Sequence, residues 1–210
     1  MGEPPVLEQY GEAAVRIRFS EPLEAACRRA RKLAERIRDH SLPEVVDVAN
    51  GARTVLVELD GPPSGALLAL LASESQPSEG DDDGALIEVP VRYDGEDLGI
   101  VAGTLGATAE DVADWHAGGA YTVAFLGFSP GFPYLLGTPA PLASMPRRST
   151  PRARVPAGSV AIAGGWTGIY PSATPGGWHL LGSTDVELFD PAADPPSRLL
   201  PGDRVRFVPR

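Results

Sequence analysis

Glycine and proline supply 24 and 22 residues, 46 of 210 in all, about twice their usual joint share. That density decides most of what the chain can fold into. Proline fixes φ and removes a backbone donor, and glycine weakens the interior of a helix. An all-α bundle is therefore excluded, and short strands joined by many turns are favoured. With 43% hydrophobic and 22% charged residues, the chain can bury a core, which excludes intrinsic disorder for most of it. Its length suits one large domain or two small ones.

Periodicity divides the chain into two parts. Residues 13–19 (AAVRIRF) alternate as a half-buried strand, with Val15, Ile17 and Phe19 on one face. Between Pro22 and His40 the apolar residues Leu23, Cys27, Ala30, Leu33, Ala34 and Ile37 recur at helical spacing, with Ser20 as the expected N-cap and Pro22 in the first turn. The opposite face carries Arg28, Arg29, Arg31, Lys32, Arg36 and Arg38, either as a solvated face or as one that docks an anion or a partner. Residues 44–49 and 53–59 are rich in β-branched side chains and flank Asn50-Gly51, a hairpin signal. A short helix over Leu67–Leu71 follows.

Residues 73–84 (SESQPSEGDDDG) hold five acids and no apolar residue, as a linker does. This divides the chain into an α+β domain at 1–78, ordered β-α-β-β-α, and a mainly-β domain at 79–210. The second begins with a strand at 86–93, a helix at 109–117 whose Thr108 and Asp111 fit a capping box, and a strand at 121–128. Short β-like runs follow at 159–163, 178–181, 186–189 and 204–208. Such a series of short strands with turn-rich connections suggests a closed or nearly closed β-barrel.

Charge and cysteine usage exclude several function classes. The net charge of −10 disfavours nucleic acid or an anionic membrane as a partner. The N-terminus has no basic-then-apolar leader, and no run of 18 apolar residues occurs, so the expected location is cytoplasmic. Cys27 is alone, and His40, His116 and His179 are scattered, so no metal site is expected. Of the basic residues, 17 are arginine and one is Lys32, which excludes a P-loop.

The strongest chemical signal is an arginine island. Ser129–Thr184 spans 56 residues without Asp or Glu while holding Arg147, Arg148, Arg152 and Arg154. Such a segment attracts small anions, and arginine suits bidentate recognition of carboxylate or phosphate. The same pattern also suits a loop tied to acidic residues elsewhere or to a partner. Gly-Pro motifs at 127–134, 155–159, 164–171 and 175–179 serve equally as rigid pocket walls or as tight barrel turns. Trp166, Tyr170 and Tyr134 can stack on a ligand or pack a core.

Gly127-x-Ser129-x-Gly131 fits a nucleophile-elbow pattern, but Pro130 has no N–H for an oxyanion hole, so serine-hydrolase chemistry is rejected. His179 is the only histidine in the island, available as a general base or as a structural residue. His116, at the end of the predicted helix, is expected to act as a cation on the helix dipole.

The stretch GFSPGFPYL (127–135), the run from Met145 to Thr184, the close PGDRVRFVP (201–209) and the opening YGEAAVRIRF (10–19) resemble the family of the 5-oxoprolinase B subunit, also called allophanate hydrolase subunit 1 or the KipI kinase-inhibitor family. The resemblance implies a small α/β N-terminal domain followed by a cyclophilin-like barrel. It implies a C subunit and an A subunit as partners, and ATP-dependent opening of 5-oxoproline to glutamate by the assembled complex. No biotin site is expected in this chain, since no Met-Lys-Met occurs. A cyclophilin-like fold does not by itself imply prolyl isomerisation.

The resemblance points to Arg148, Arg152, Arg154, Ser159, Trp166, Thr167 and Tyr170 for substrate binding, Gly131, Phe132 and Tyr134 for the pocket wall, and the 175–178 loop. His179 is the catalytic candidate. Trp166 stands where the family pattern has glutamine, and Ser183 where it has arginine; both changes bear on substrate recognition. Two alternative functions belong to the same resemblance: inhibition of a sensor histidine kinase, and half of a urea-carboxylase-like carboxyltransferase.

Overall fold

The computed structural model describes residues 6–72 and 84–210. The chain divides into two compact units, Met1–Asp81 and Asp82–Arg210. The boundary expected at 78/79 and nearly all of the acidic linker lie outside the described residues.

Among the described residues, the first unit runs β1 (Val6–Gln9), β2 (Ala14–Arg18), α1 (Leu23–Asp39), β3 (Val45–Asn50), β4 (Thr54–Leu59) and α2 (Gly65–Ala72). The four strands form an antiparallel sheet in the order β1-β2-β4-β3. Val15, Ile17, Val55 and Val57 point from β2 and β4 toward Ala26, Ala30, Leu33 and Ile37 of α1, forming one core. The pairing of β2 opposes Val15 to Val57 and Ile17 to Val55, so each in-facing side chain meets another.

Three local expectations change. Strand β1 was not foreseen. The N-cap of α1 is Pro22, with no side-chain cap, in place of Ser20. Asn50 remains in β3, so the hairpin loop is the three-residue segment 51–53. The loop keeps three residues but moves one position on from 50–52, and its carbonyls are bonded from outside: Cys27 Sγ donates to the Ala52 carbonyl at 3.0 Å and the Phe19 N–H to the Arg53 carbonyl at 2.9 Å. The arginine face of α1 is partly tied down within its own unit. Arg29 is buried on Glu21 and over the Phe19 ring, and Arg38 donates to the Val48 carbonyl.

Among its described residues, the second unit runs β5 (Leu86–Val91), α3 (Leu98–Leu105), α4 (Ala109–Ala117), β6 (Tyr121–Leu126), β7 (Pro133–Leu136), α5 (Ala140–Ala143), β8 (Arg152–Val155), β9 (Ser159–Ala163), β10 (Trp166–Ile169), β11 (Thr174–Gly176), β12 (His179–Ser183) and β13 (Arg204–Pro209). Seven strands form one sheet in the order β12-β9-β10-β7-β6-β13-β5, with only β13 and β5 parallel. The ends of this sheet meet. Arg92 N–H donates to the Ser183 carbonyl at 2.9 Å, and Ser183 N–H returns a bond to Arg92 at 2.8 Å. The sheet is thereby a nearly closed barrel, which removes the exposed edges an open sheet presents. A separate ribbon pairs β8 with β11.

Val89, Val91, Tyr121, Val123, Leu135, Val160, Ile169, Val205 and Phe207 fill the barrel, while α3, α4 and α5 cover a second cluster that includes Val101, Val112, Leu142 and Leu181. The capping box forms: Asp111 N–H donates to Thr108 Oγ1, and the Asp111 carboxylate accepts from Thr108 N–H. The strand expected at 186–189 does not form, and Phe189 makes a single bridge to Ser197. Pro191, Pro195 and Pro196 lie in the facing stretch and have no N–H to donate to a ladder. His116 is not the solvated cation expected at the end of α4. It is fully buried, with Nδ1 on the Tyr93 hydroxyl at 2.9 Å and its ring against Tyr121 and Phe207. Burial pushes its pKa down to about 3, so it is neutral at physiological pH.

Candidate functional site

The arginine island folds around a carboxylate that lies outside it. Asp97 begins α3 and its side chain is 1% exposed. It accepts from Arg152 Nη1 and Nη2 at 2.9 and 2.8 Å, from Arg148 Nη1 at 2.6 Å and from the Leu180 N–H at 2.8 Å. Burial alone would raise the Asp97 carboxyl; the Arg152 hydrogen bonds, the Leu180 N–H and the two guanidinium charges outweigh it and hold the group below its ordinary value. Arg152 Nε also reaches Glu96 at 3.2 Å. Arg148 and Arg152 thus bind together α3, the 146–152 segment and β12.

The Arg148 backbone continues this attachment by donating its N–H to the Gly177 carbonyl at 2.8 Å. His179 Nε2 lies 3.0 Å from the Pro146 carbonyl. A carbonyl only accepts, so Nε2 carries the hydrogen and Nδ1 the lone pair; Nδ1 is buried without a hydrogen-bond partner. Burial lowers the His179 pKa, more than the Asp97 charge and the Pro146 carbonyl raise it.

The neighbouring Arg147 points elsewhere. It is exposed, and among the described residues no carboxylate pairs with it. It borders a cleft of about 60 Å³ with Phe128, Phe132, Tyr134, Tyr170, Gly176, Gly177 and Trp178. The rings meet mostly edge to face: Phe132 lies 5.1 Å from Tyr170 and 5.4 Å from Trp178, and Tyr134 lies 5.5 Å from Trp178. Burial raises the pKa of both Tyr134 and Tyr170, more than the Arg147 charge lowers them. They are neutral phenols, able to stack and to hydrogen-bond but not to act as bases near pH 7.

Phe128 stands at the mouth of the cleft with φ of 69° and 61% of its surface exposed. A bulky side chain in the left-handed region is an outlier that surrounding structure must hold. The turn beside it is closed by Phe132 N–H donating to the Ser129 carbonyl at 3.0 Å. No helix follows Ser129, so an elbow geometry is absent from these described residues.

The remaining expected residues fall in different places. Arg154 is exposed on β8. Ser159 is buried and its hydroxyl donates to the Pro156 carbonyl at 2.8 Å. Thr167 is buried with its hydroxyl 3.0 Å from that of Thr138. Trp166 packs edge-on against Phe125 and Tyr134. Gly131, with φ of 75°, is packed on Phe189. Ser183 donates its hydroxyl to the Asp94 carboxylate at 2.9 Å. The cleft therefore collects Phe132, Tyr134, Tyr170 and, from the 175–178 loop, Gly176, Gly177 and Trp178 of the expected set.

Sequence reading missed Asp97 altogether and did not single out Arg147 from the island. The available signal was the island itself, because arginines that become buried need a counter-charge.

The cleft is small, and its lining includes one cation, Arg147. A cleft of about 60 Å³ is far below the several hundred Å³ of ordinary cofactor sites. Among the described residues no group of three or more His, Cys, Asp or Glu is placed to hold a metal, and no helix is long and apolar enough to cross a membrane.

Residues 5–199 match the family described as carboxyltransferase domain, subdomain C and D. The 5-oxoprolinase B subunit of Escherichia coli O157:H7 is 45% identical over 207 residues, which cover 95% of this chain and 94% of that protein. The crystal structure of TTHA0988 matches with a TM-score of 0.83 at 42% identity over 94% of this chain, which spans only 40% of the length of that one. The urea carboxylase of Kluyveromyces lactis shares the fold, with a TM-score of 0.71 at 22% identity over 98% of this chain and 22% of its own. The resemblance read from the motifs at 127–135 and 145–184 is borne out: the chain belongs to the carboxyltransferase subdomain C and D family, together with proteins named as the B subunit of 5-oxoprolinase.

Proposed function

We propose that this chain is one subunit of an ATP-dependent 5-oxoprolinase, an assembly that opens 5-oxoproline to glutamate, and that it supplies half of the substrate pocket to a C subunit. The observation that carries this reading is the 45% identity to a 5-oxoprolinase B subunit along 95% of the chain. The cleft supports it on physical grounds. Its volume of about 60 Å³ equals the liquid share of about two water molecules, too little to enclose the nine non-hydrogen atoms of 5-oxoproline. A second surface is needed to complete the enclosure and to exclude water from the amide.

ATP belongs to the partner subunits in this reading. The barrel is read as cyclophilin-like, as the motifs implied. We assign Arg148 and Arg152 to positioning through Asp97, and Phe132, Tyr134 and Tyr170 to the pocket wall. His179, bound to the Pro146 carbonyl, is assigned to holding the 146–148 segment. The test is to assay glutamate release from 5-oxoproline and ATP with the chain alone and with its A and C partners. Activity that requires the partners is expected; full activity from the chain alone overturns the subunit assignment, and none from the assembly overturns the reaction.

A second reading is carboxyl transfer to a small urea-like amide, favoured by the family description and by the fold shared with urea carboxylase. It requires product formation that depends on bicarbonate, which ring opening of 5-oxoproline does not.

A further inference from the structure

We propose that Arg147, and not the other arginines of the island, is the residue that reads the carboxylate of a small cyclic acid seated at the mouth of the cleft, beside Phe128. The inference rests on the proposed function for the identity of the natural ligand, and on geometry for everything else.

The other arginines of the island are either engaged or distant from the cleft. Arg148 and Arg152 are held by Asp97, with three N–O distances between 2.6 and 2.9 Å, and releasing either would leave a buried carboxylate short of donors. Arg154 is exposed on β8 and does not border the cleft. Arg147 does border it, and among the described residues no carboxylate pairs with it. Of the island's arginines, Arg147 therefore combines a place at the cleft with a guanidinium that no carboxylate pairs among the described residues, and it can form a bidentate pair with a ligand carboxylate.

Placement follows from the Asp97 clamp. Arg148 is fixed through its side chain on Asp97 and its N–H on Gly177, so the adjacent Cα of Arg147 has little freedom. The floor of the cleft is then aromatic and uncharged, with Gly176 and Gly177 keeping one side free of side chains. Phe132, Tyr170 and Trp178 are buried and back this floor, so a five-membered ring can lie at the mouth beside the exposed Phe128 with its carboxylate at the Arg147 rim. Phe128 stands over the same opening, 5.3 Å from Phe132 and 6.2 Å from Tyr170 between ring centroids. A neutral lactam without the carboxylate would stack equally but lose the charge-assisted pair, so the site discriminates by acid group more than by ring.

The experiment titrates the chain, alone and with its A and C partners, with L-5-oxoproline, cyclopentanecarboxylate and 2-pyrrolidinone, following tryptophan fluorescence and ligand NMR line widths. Both carboxylates are expected to bind, and 2-pyrrolidinone about ten- to hundredfold more weakly, the range of one hydrogen-bonded charge. Arg147→Gln is expected to weaken both carboxylates by a similar factor and leave 2-pyrrolidinone unchanged, Arg147→Lys to fall between, and Arg154→Gln to match the wild type. Equal binding of acid and neutral lactam, undiminished binding by Arg147→Gln, or no carboxylate binding in either state overturns the proposal. Glutamate formation by the assembly with an unaltered KM in Arg147→Gln overturns it while sparing the proposed function. Arg147-dependent binding without glutamate formation does the reverse.

Discussion

Arg152 grips Asp97 with a two-pronged fork, Nη1 on Oδ2 at 2.9 Å and Nη2 on Oδ1 at 2.8 Å. The Asp97 side chain is 1% exposed and that of Arg152 is 17% exposed. Together with Arg148 and the Leu180 N–H, this places four donor contacts from three residues on one carboxylate. The exposed Glu96 also pairs with Arg152, and the clamp sets the path of residue 147 at the rim of the aromatic cleft.

Replacing Asp97 with asparagine removes the charge while keeping the shape. Two guanidinium groups then remain in a largely dry cluster, with the exposed Glu96 beside Arg152 as the carboxylate left to them. Breaking a buried pair in this way costs about 3 kcal/mol, at the low end of the usual range because both arginines keep some contact with water. Urea denaturation of the second unit is expected to show that loss, with Arg154→Ala within about 0.5 kcal/mol of the wild type. An Asp97→Asn midpoint equal to the wild type would mean that the clamp does not support the fold.

Much of the fold could be read from the sequence because its signals are local. Helix α1 follows from the spacing of Cys27, Ala30, Leu33, Ala34 and Ile37, and α4 from Thr108 and Asp111 three positions apart. Helix α3 escaped because LGIVAGTL has no polar face to set a period and carries two glycines. Strands β7 and β10 are four residues each and contain Pro133 and Gly168, so they resemble turns. The site was legible only as a composition. Which arginine is spent and which is free depends on Asp97 meeting residues 51, 55 and 83 positions away, a fact that only the closed barrel supplies. Proximity in sequence even misled, since Arg147 and Arg148 are neighbours with opposite fates.

His116 makes the stability of the second unit depend on pH. In the fold it stays neutral down to about pH 3, whereas in the unfolded chain it takes up a proton below about 6.5. Its folded pKa is depressed, so its contribution is complete above about pH 6.5 and is lost as pH falls toward 3. Asp97, also depressed, adds a further loss below about pH 4. Denaturation midpoints between pH 7.5 and 5 are expected to fall, and His116→Asn, which keeps a polar group for the Tyr93 hydroxyl, to fall less steeply. An equal slope in the variant would assign the dependence to other groups.

Two adjacent glycines separate packing from tolerance. A Cβ at Gly176 would run into the Tyr170 phenol, with its ring carbon Cε1 at 2.9 Å, whereas one at Gly177 would meet only Pro151 at 3.7 Å. Gly176→Ala must therefore displace Tyr170 from the cleft wall, while Gly177→Ala makes an ordinary contact. Carboxylate binding is expected to fall at least about tenfold in Gly176→Ala and to persist in Gly177→Ala. Titration of the two variants side by side checks this, and equal affinities would remove Tyr170 from the wall.

Phe128 is held at φ of 69° although its ring is 61% exposed, so it gains little from burial in return for its backbone conformation. The left-handed region costs a residue with a Cβ about 1–2 kcal/mol. Glycine avoids that cost but adds about 0.5–1 kcal/mol of unfolded-state entropy. Phe128→Gly is therefore expected to raise stability by about 0.5 kcal/mol or leave it unchanged. The same change removes the ring facing Phe132 and Tyr170 at the mouth of the cleft, so affinity for a cyclic carboxylate is expected to drop while the fold holds. Paired measurements of the denaturation midpoint and ligand affinity decide the matter. A variant destabilised by more than about 1 kcal/mol would show that the ring supports the turn, and one with unchanged affinity would show that the strained residue has no part in the site.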